Sequence, residues 1–195
     1  MGSGMELTGY GLLALVVALA VWTVVIYNRL VALKHSVRMA WSNIDVLLKQ
    51  RHDELPKLIE VCKAYMQHEQ ETLERVALAR AKAQTAREQE DVAGVGAAET
   101  MMRQGLGRLF AVSEAYPDLK ADRQFRHLSG RISEIENAIA DRREFYNEAA
   151  NINNIRIEEF PNAFIASLFN FRPAKLLRFD ESDLKDVDVR ALLRA

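Results

Sequence analysis

Cysteine, proline and glycine are scarce in this chain of 195 residues, which has one cysteine, four prolines and nine glycines. The single cysteine, Cys62, excludes an internal disulfide and leaves no cysteine cluster for a metal ion. It falls within a helical apolar pattern, which predicts a buried and unreactive thiol. The few prolines and glycines favour long, uninterrupted helices, and no stretch predicts a strand.

An excess of basic charge is also missing, because 26 Lys and Arg residues face 27 Asp and Glu residues. Glu6 is the one charged residue before the end of a long apolar run. The rest of the chain therefore carries 26 basic and 26 acidic residues, and its net charge is zero. A nucleic-acid-binding domain needs a basic face. We therefore expect no nucleic-acid partner.

What the chain does have is an uncharged stretch of 22 residues, LTGYGLLALVVALAVWTVVIYN, at positions 7–28. A helix of that length would reach ~33 Å, enough to cross a hydrocarbon core of ~30 Å. Trp22 and Tyr27 lie toward its C-terminal end, where aromatic residues often meet the membrane surface. A cleaved signal peptide is the alternative, but the small-residue motif at 18–20 lies in the middle of the run and no basic residue precedes it.

We predict a transmembrane helix at residues 7–27, after a short extracytoplasmic N-terminus at residues 1–6. Arg29, Lys34 and Arg38 follow the span, and no Lys or Arg precedes it. The positive-inside rule then places the rest of the chain in the cytoplasm. Arg29 and Lys34 would lie near lipid head groups.

Four amphipathic helices are predicted between residues 28 and 160, where apolar residues recur at spacings of three and four. The first covers residues 28–52. Pro56 then either kinks one long helix or lies in the first turn of a second helix that Asp53 caps. Four helices with one apolar stripe each favour an all-α protein whose cytoplasmic part is an up-and-down four-helix bundle.

Glycine and proline predict the later boundaries. Gly94 and Gly96 predict a loop at residues 85–100, and Pro117 ends the third helix. The fourth helix ends at Pro161 and is predicted to bury a long apolar stripe: Phe125, Leu128, Ile132, Ile135, Ile139, Tyr146, Ala149, Ile152 and Ile155.

Residues 160–171, FPNAFIASLFNF, contain four phenylalanines and no charge. Phe164, Leu168 and Phe171 recur at spacings of four and three, which predicts a short amphipathic helix. A chain reversal at Pro56 would return this segment to the bilayer end of the bundle, whereas a kink would place it at the far tip. Packing on its own bundle, a subunit or membrane contact, and a small-molecule pocket all stay open.

A polar ladder occupies one face of the fourth helix, with Asn147, Asn151, Asn154 and Glu158 at spacings of four, three and four. It is either solvated surface or a set of hydrogen-bonded amides that fix the register between helices or subunits. Ligand binding is a third reading. The candidate interaction residues are these three asparagines with Phe160, Phe164, Leu168, Phe169 and Phe171.

Catalytic motifs are absent from the sequence. HEQET at residues 68–72 begins like a zinc-protease motif, but Thr72 stands where the second histidine is needed. The four histidines are scattered, and Gly94-Val95-Gly96 lacks the strand-to-helix context of a phosphate loop. We expect a non-enzymatic protein with no cofactor and no metal.

Four blocks of the sequence resemble, in order and spacing, those of the LemA family: YNRLVALKHSVRMAWSNIDVLLKQR, HDELPKLIEVCKAYMQHEQETLERVALAR, EAYPDLKAD and YNEAANINNIRIEEFPNAFIASLFNF. The resemblance covers residues 27–180. It implies a bacterial protein with one N-terminal transmembrane helix and a four-helix domain, a hairpin at Pro56, and no catalytic residues. One departure is Arg51-His52, where the family usually has two arginines before the aspartate.

These expectations give a four-helix LemA-like domain at residues 28–160, an amphipathic aromatic segment at 161–179 and an acidic tail at 180–195. The functional hypothesis is a membrane-anchored scaffold that self-associates at the bacterial inner (cytoplasmic) membrane, in envelope organisation or homeostasis. Its expected partners are the lipid bilayer, further copies of the chain and other membrane proteins. The alternative is an adaptor or regulator of a membrane protease or signalling partner.

Overall fold

The computed structural model describes residues 2–179, with side chains from residue 9 onward. The described part of the chain is helical and contains no strand, which confirms the predicted all-α class. The predicted acidic tail at residues 180–195 lies outside the described residues. The helices are α1 (Gly2–Tyr65), α2 (Gln70–Glu88), α3 (Val92–Ser113), α4 (Pro117–Ala121), α5 (Arg123–Glu158) and α6 (Asn162–Leu168).

The first part of α1 is apolar and lies on the surface. Nearly every side chain from residue 9 to residue 25 is exposed. Among the described residues, α1 is the one helix long and apolar enough to cross a membrane, by length and composition. Apolar surface of this extent is unusual on a soluble domain.

The described chain forms two compact units. Unit 1 contains the described residues up to Trp41 together with Phe145–Ala174. Unit 2 contains Ser42–Glu144 and the described residues from Lys175 onward. Each unit therefore draws on α1 and α5.

Unit 2 is built on one apolar core to which α1, α2, α3, α4 and α5 all contribute. A fully buried Leu or Ile side chain stabilises the fold by ~1.5–3 kcal/mol. The buried residues of this core are Leu55, Leu58, Cys62, Met66, Leu73, Val76, Ala79, Met102, Leu106, Leu109, Leu119, Phe125, Leu128 and Ile132.

The hairpin predicted at Pro56 is wrong, because Pro56 lies inside α1. A proline has no N–H, so it leaves the carbonyl four residues earlier, that of His52, without its helical donor. Arg80 of α2 replaces that donor: its Nε donates to the His52 carbonyl at 3.0 Å, and its Nη2 lies 2.7 Å from His52 Nε2. The turn into α2 falls instead at residues 66–69.

The loop predicted at residues 85–100 is reduced to three residues between α2 and α3. Glu90 adopts a left-handed conformation with φ 52°. Its N–H donates to the Arg87 carbonyl at 3.1 Å, and the Asp91 N–H donates to the Ala86 carbonyl at 2.9 Å. This pair of hydrogen bonds is a Schellman cap, formed here without the glycine that usually signals one.

Two glycines of α3, Gly96 and Gly105, lie where neighbouring parts of the chain pack closely against the helix. A Cβ at Gly96 would lie 2.2 Å from the carbonyl oxygen of Arg178, so the chain at Arg178 crosses α3 where a side chain is missing. A Cβ at Gly105 would lie 3.2 Å from Val76 Cγ2, which indicates close packing of α3 on α2. Both glycines therefore act in packing. Gly96 lies inside α3, where the sequence pattern predicted a loop.

Residues 175–179 have no regular secondary structure and pack against α3 within unit 2. Leu177 and Phe179 are buried. The Phe179 ring lies beneath two guanidinium groups, 5.0 Å from that of Arg103 and 4.5 Å from that of Arg143. Cation–π contacts of this kind add to the burial of the ring.

Candidate functional site

The aromatic segment packs against α1 at the end of the candidate span, within unit 1. The Phe169 ring centroid lies 4.8 Å from that of Tyr27, and the Phe171 centroid lies 5.8 Å from it. A small apolar core joins the same elements: Ile26, Leu30, Ile157, Ile165 and Ala166. The segment is therefore held beside the last turns of the apolar stretch.

The C-terminal cap of α6 turns the chain back onto α1. Asn170 is left-handed with φ 56°, a conformation that asparagine tolerates better than most residues. Its N–H donates to the Ser167 carbonyl at 3.2 Å, and the Phe171 N–H donates to the Ala166 carbonyl at 2.9 Å. This second Schellman cap brings the Phe171 ring back toward Tyr27.

Other apolar side chains of the segment remain on the surface. Phe160 is 90% exposed and Phe164 is 70% exposed, and Leu168 and Phe169 are exposed as well. A spacing of four puts Phe164 and Leu168 on the same face of α6. The segment thus has one face on α1 and one apolar face open to a lipid or protein partner.

The predicted membrane-proximal residues all lie on α1 and are exposed. Trp22 is on the candidate span, and Tyr27 contacts the aromatic segment. Arg29 and Lys34 follow within two turns. One further aromatic pair of unit 1 joins α1 to α5, namely Trp41 and Tyr146, whose ring centroids are 5.4 Å apart.

The predicted asparagine ladder does not share one environment. Asn151 and Glu158 are exposed, and Asn147 and Asn154 are half-buried. Asn153, which the prediction omitted, is only 4% exposed. The ladder is therefore neither fully solvated nor fully buried.

Asn154 holds the segment after α6 onto α5. Its Nδ2 donates to the Ala174 carbonyl at 2.9 Å, and the Ala174 N–H donates to its Oδ1 at 2.7 Å. Asn153 Nδ2 also donates to Asn154 Oδ1, at 3.3 Å. The Asn154 side chain thus pairs with both the carbonyl and the N–H of Ala174, in the same chain.

The last part of the predicted apolar stripe on α5 is wrong. Ile152 and Ile155 are exposed, and the buried positions are Ala150, Asn153 and Ile157. A small and a polar residue at two of the three buried positions weaken the apolar pattern there. Ile152 and Ile155 continued the apolar spacing and were therefore predicted to be buried, but both side chains are exposed.

Unit 2 contains a buried charge cluster that the sequence pattern did not reveal. Arg51 is 2% exposed and donates hydrogen bonds to Glu99 of α3 and Glu136 of α5. Arg103 Nε lies 3.7 Å from Glu136 Oε2. The cluster therefore ties α1, α3 and α5 together, and removal of Arg51 alone would leave buried negative charge without its partner.

Burial disfavours the charged forms of this cluster, and the ion pairs oppose that effect. For Arg51, burial lowers the pKa, but the carboxylates of Glu99 and Glu136 outweigh burial and raise the pKa overall. For Glu99, burial raises the pKa against the attraction of Arg51. The signal for Arg51 in the sequence was its position: it continues the stripe of Ile44, Leu48, Leu55 and Leu58 at steps of three and four.

The zinc-protease-like stretch of the sequence does not form a ligand cluster. Thr72 is buried in α2, and His68 lies in the turn before it. No group of three or more His, Cys, Asp or Glu side chains among the described residues is placed to hold a metal ion.

Comparison with known proteins gives relatives and a family. Magnetosome proteins MamQ 2 and MamQ 1 of Paramagnetospirillum magneticum are each 37% identical over 84 residues, which cover 43% of this chain and 30% of each relative. Magnetosome protein MamQ of Magnetospirillum gryphiswaldense is 31% identical over 67 residues, which cover 34% of this chain and 25% of that protein. The chain thus spans less than a third of the length of these relatives.

The LemA family profile matches residues 40–190, most of the sequence. The chain belongs to the LemA family.

Proposed function

We propose that this protein is a non-enzymatic helical scaffold, anchored by α1 in the bacterial inner membrane, that self-associates and serves envelope organisation or homeostasis. In this proposal α1 beyond residue 41, α2, α3 and α5 follow one another up and down as a four-helix bundle. Arg29, Lys34 and Arg38 after the span support an N-terminus outside and a domain in the cytoplasm.

The exposed apolar surface of unit 1 outside the span supports self-association. This surface, named the apolar face, consists of exposed side chains on α5, on α6 and between them: Phe145, Ile152, Ile155, Phe160, Phe164 and Leu168. Monomeric soluble proteins rarely expose large contiguous apolar patches. An anchor confines all copies to two dimensions and raises their effective concentration, so weak lateral contacts between apolar faces suffice.

Light scattering of the full chain in detergent micelles tests this proposal. We expect a protein mass of more than one chain, and a shift toward one chain in the Phe160→Ser/Phe164→Ser/Leu168→Ser variant. Leu78→Ser removes an exposed leucine of α2 in unit 2 and is the matched control, which should keep the wild-type mass. A wild-type chain that is monomeric at every concentration would overturn self-association.

A photo-crosslinking residue at position 164 separates the scaffold from the adaptor. Benzoylphenylalanine in place of Phe164, irradiated in intact cells, should give adducts of twice the chain mass. One dominant adduct with a foreign protein would favour the adaptor or regulator. The same probe at position 78 is the control for surface exposure.

A further inference from the structure

A cavity of about 220 Å³ in unit 1 lies between α1, α5 and the chain that follows α6. Two cations line it, Lys34 from α1 and Arg172 from the chain after α6, with the amides of Asn153 and Asn170 and the ring of Phe171. None of its lining residues is acidic. Ligand cavities for larger organic molecules are usually ~300–1,000 Å³, so this one suits a small anionic group.

The two cations are available to a ligand. Arg172 Nε makes a long contact of 3.4 Å to Asn170 Oδ1. Within the described part of the chain, neither Lys34 nor Arg172 is ion-paired with a carboxylate. A guanidinium and an ammonium group are the side chains that bind phosphate oxygens most strongly.

Local structure brings these groups together from distant parts of the sequence. The Schellman cap of α6 places Asn170 and Phe171 back toward α1, and the pairing of Asn154 with Ala174 fixes the chain on the other side of Arg172. Asn153, one residue before Asn154, forms part of the wall and is itself 4% exposed. The hydrogen bonds that hold residues 170–174 against α1 and α5 therefore also form the cavity.

The cavity lies close to the end of the candidate span. Lys34 is seven residues after Tyr27, or ~10 Å along the helix axis, and the Phe171 ring that lines the cavity contacts Tyr27. The head-group region extends ~5–8 Å beyond each side of the hydrocarbon core. With α1 crossing the bilayer, the long side chains of Lys34 and Arg172 reach the depth of lipid phosphates.

We propose that this cavity binds the phosphate of an anionic phospholipid, with Lys34 and Arg172 as counter-charges. The proposal rests on the anchor of the proposed function but not on self-association. The shared chemistry is an anionic phosphate group, which a soluble phosphate could also supply. The apolar wall formed by Phe171 and Val37 and the neighbouring span favour the lipid.

Native mass spectrometry of the full chain released from detergent micelles tests the site with defined probes. Palmitoyl-oleoyl phosphatidylglycerol should bind at least about tenfold more tightly than the matching phosphatidylcholine. Lys34→Gln/Arg172→Gln should remove that preference. The control Arg75→Gln/Arg156→Gln removes two exposed cations that do not line the cavity and should keep the preference. Circular dichroism checks that each variant stays helical.

The outcomes separate this proposal from the previous one. Equal binding of the two lipids, or a preference unchanged in Lys34→Gln/Arg172→Gln, would overturn the lipid site. Displacement of phosphatidylglycerol by millimolar glycerol 3-phosphate or inorganic phosphate would assign the cavity to a soluble anion and also overturn it. Failure of the full chain to float with vesicles would overturn the anchor, and a monomeric mass by light scattering would overturn only self-association.

Discussion

Arg80 Nε donates a 3.0 Å hydrogen bond to the carbonyl oxygen of His52, the group that Pro56 leaves without a helical donor. The two partners are 28 residues apart and lie on different helices. An interior proline costs a helix ~3 kcal/mol or more. A side chain from α2 thus compensates part of a defect in α1, and the long helix continues.

We expect Arg80→Ala to lower the free energy of unfolding by ~1–3 kcal/mol, because the His52 carbonyl would lose its donor. Pro56→Ala restores a backbone N–H at position 56. In the Pro56→Ala background, Arg80→Ala should lower the free energy of unfolding by clearly less, because the His52 carbonyl has a helical donor. Thermal unfolding of the four members of this double-mutant cycle, in one detergent, measures the coupling.

Arg75→Ala is the control for that cycle. Arg75 lies on the same helix and pairs with Glu71 at the surface, 2.5 Å away, so its loss should change stability by less than ~1 kcal/mol. Equal costs of Arg80→Ala with proline and with alanine at position 56 would show that the hydrogen bond to His52 does not compensate for the proline.

The Arg51 cluster should behave as a unit. Arg51→Met leaves Glu99 and Glu136 without their buried partner and should destabilise the fold by ~3–5 kcal/mol. Arg51→Met/Glu99→Gln removes one of the stranded charges and should recover part of that loss. Lys57→Met, on the exposed side of α1, is the matched control. Additive effects of the Arg51 and Glu99 changes in unfolding experiments would contradict the pairing.

The sequence predicted the helical class, but it misjudged where helices stop. Pro56, Gly94 and Gly96 are read locally as helix breakers. Their outcome depends on tertiary partners, Arg80 for the proline and the Arg178 backbone for Gly96. Local rules have no access to partners that are distant in the sequence. The continuous stripe through Arg51 was the available signal for one long helix.

The candidate site was predicted only in part, because some of its contacts also join residues that are distant in the sequence. Spacing predicted Phe164, Leu168 and Phe171 on one face of a short helix. Phe164 and Leu168 are exposed on α6, but Phe171 lies beyond the end of α6 and contacts Tyr27 instead. The left-handed Asn170 and the amide pair of Asn154 with Ala174 have no periodic signature. The buried Asn153 was missed because burial of a polar side chain runs against the apolar pattern on which the prediction depends.

Asn154→Ala should loosen the chain after α6. Two hydrogen bonds to Ala174 are lost, at ~0.5–1.5 kcal/mol each, and cleavage by trypsin after Lys175, the residue that follows Ala174, should become faster. Asn151→Ala, an exposed asparagine on the same helix, should change stability by no more than ~0.5 kcal/mol. Unchanged trypsin cleavage in Asn154→Ala would show that other contacts hold this segment.

Cys62 should be inert in the folded protein. Its thiol is buried, and burial raises its pKa to about 11. At pH 8 only about one thiol in a thousand would be ionised. Ellman's reagent should therefore react slowly with the native chain and rapidly in denaturant. Leu78→Cys adds an exposed thiol and should react at once, while rapid reaction of native Cys62 would contradict its burial.

Gly96 has a consequence for alanine scanning of this protein. Replacing a helical glycine with alanine normally strengthens a helix, by ~1 kcal/mol in intrinsic preference. Here the added methyl group would occupy the space of the Arg178 carbonyl oxygen. Gly96→Ala should therefore stiffen α3 and at the same time release residues 175–179, so that helicity and protease susceptibility rise together. The absence of a side chain at position 96 is what allows residues 175–179 to lie against α3.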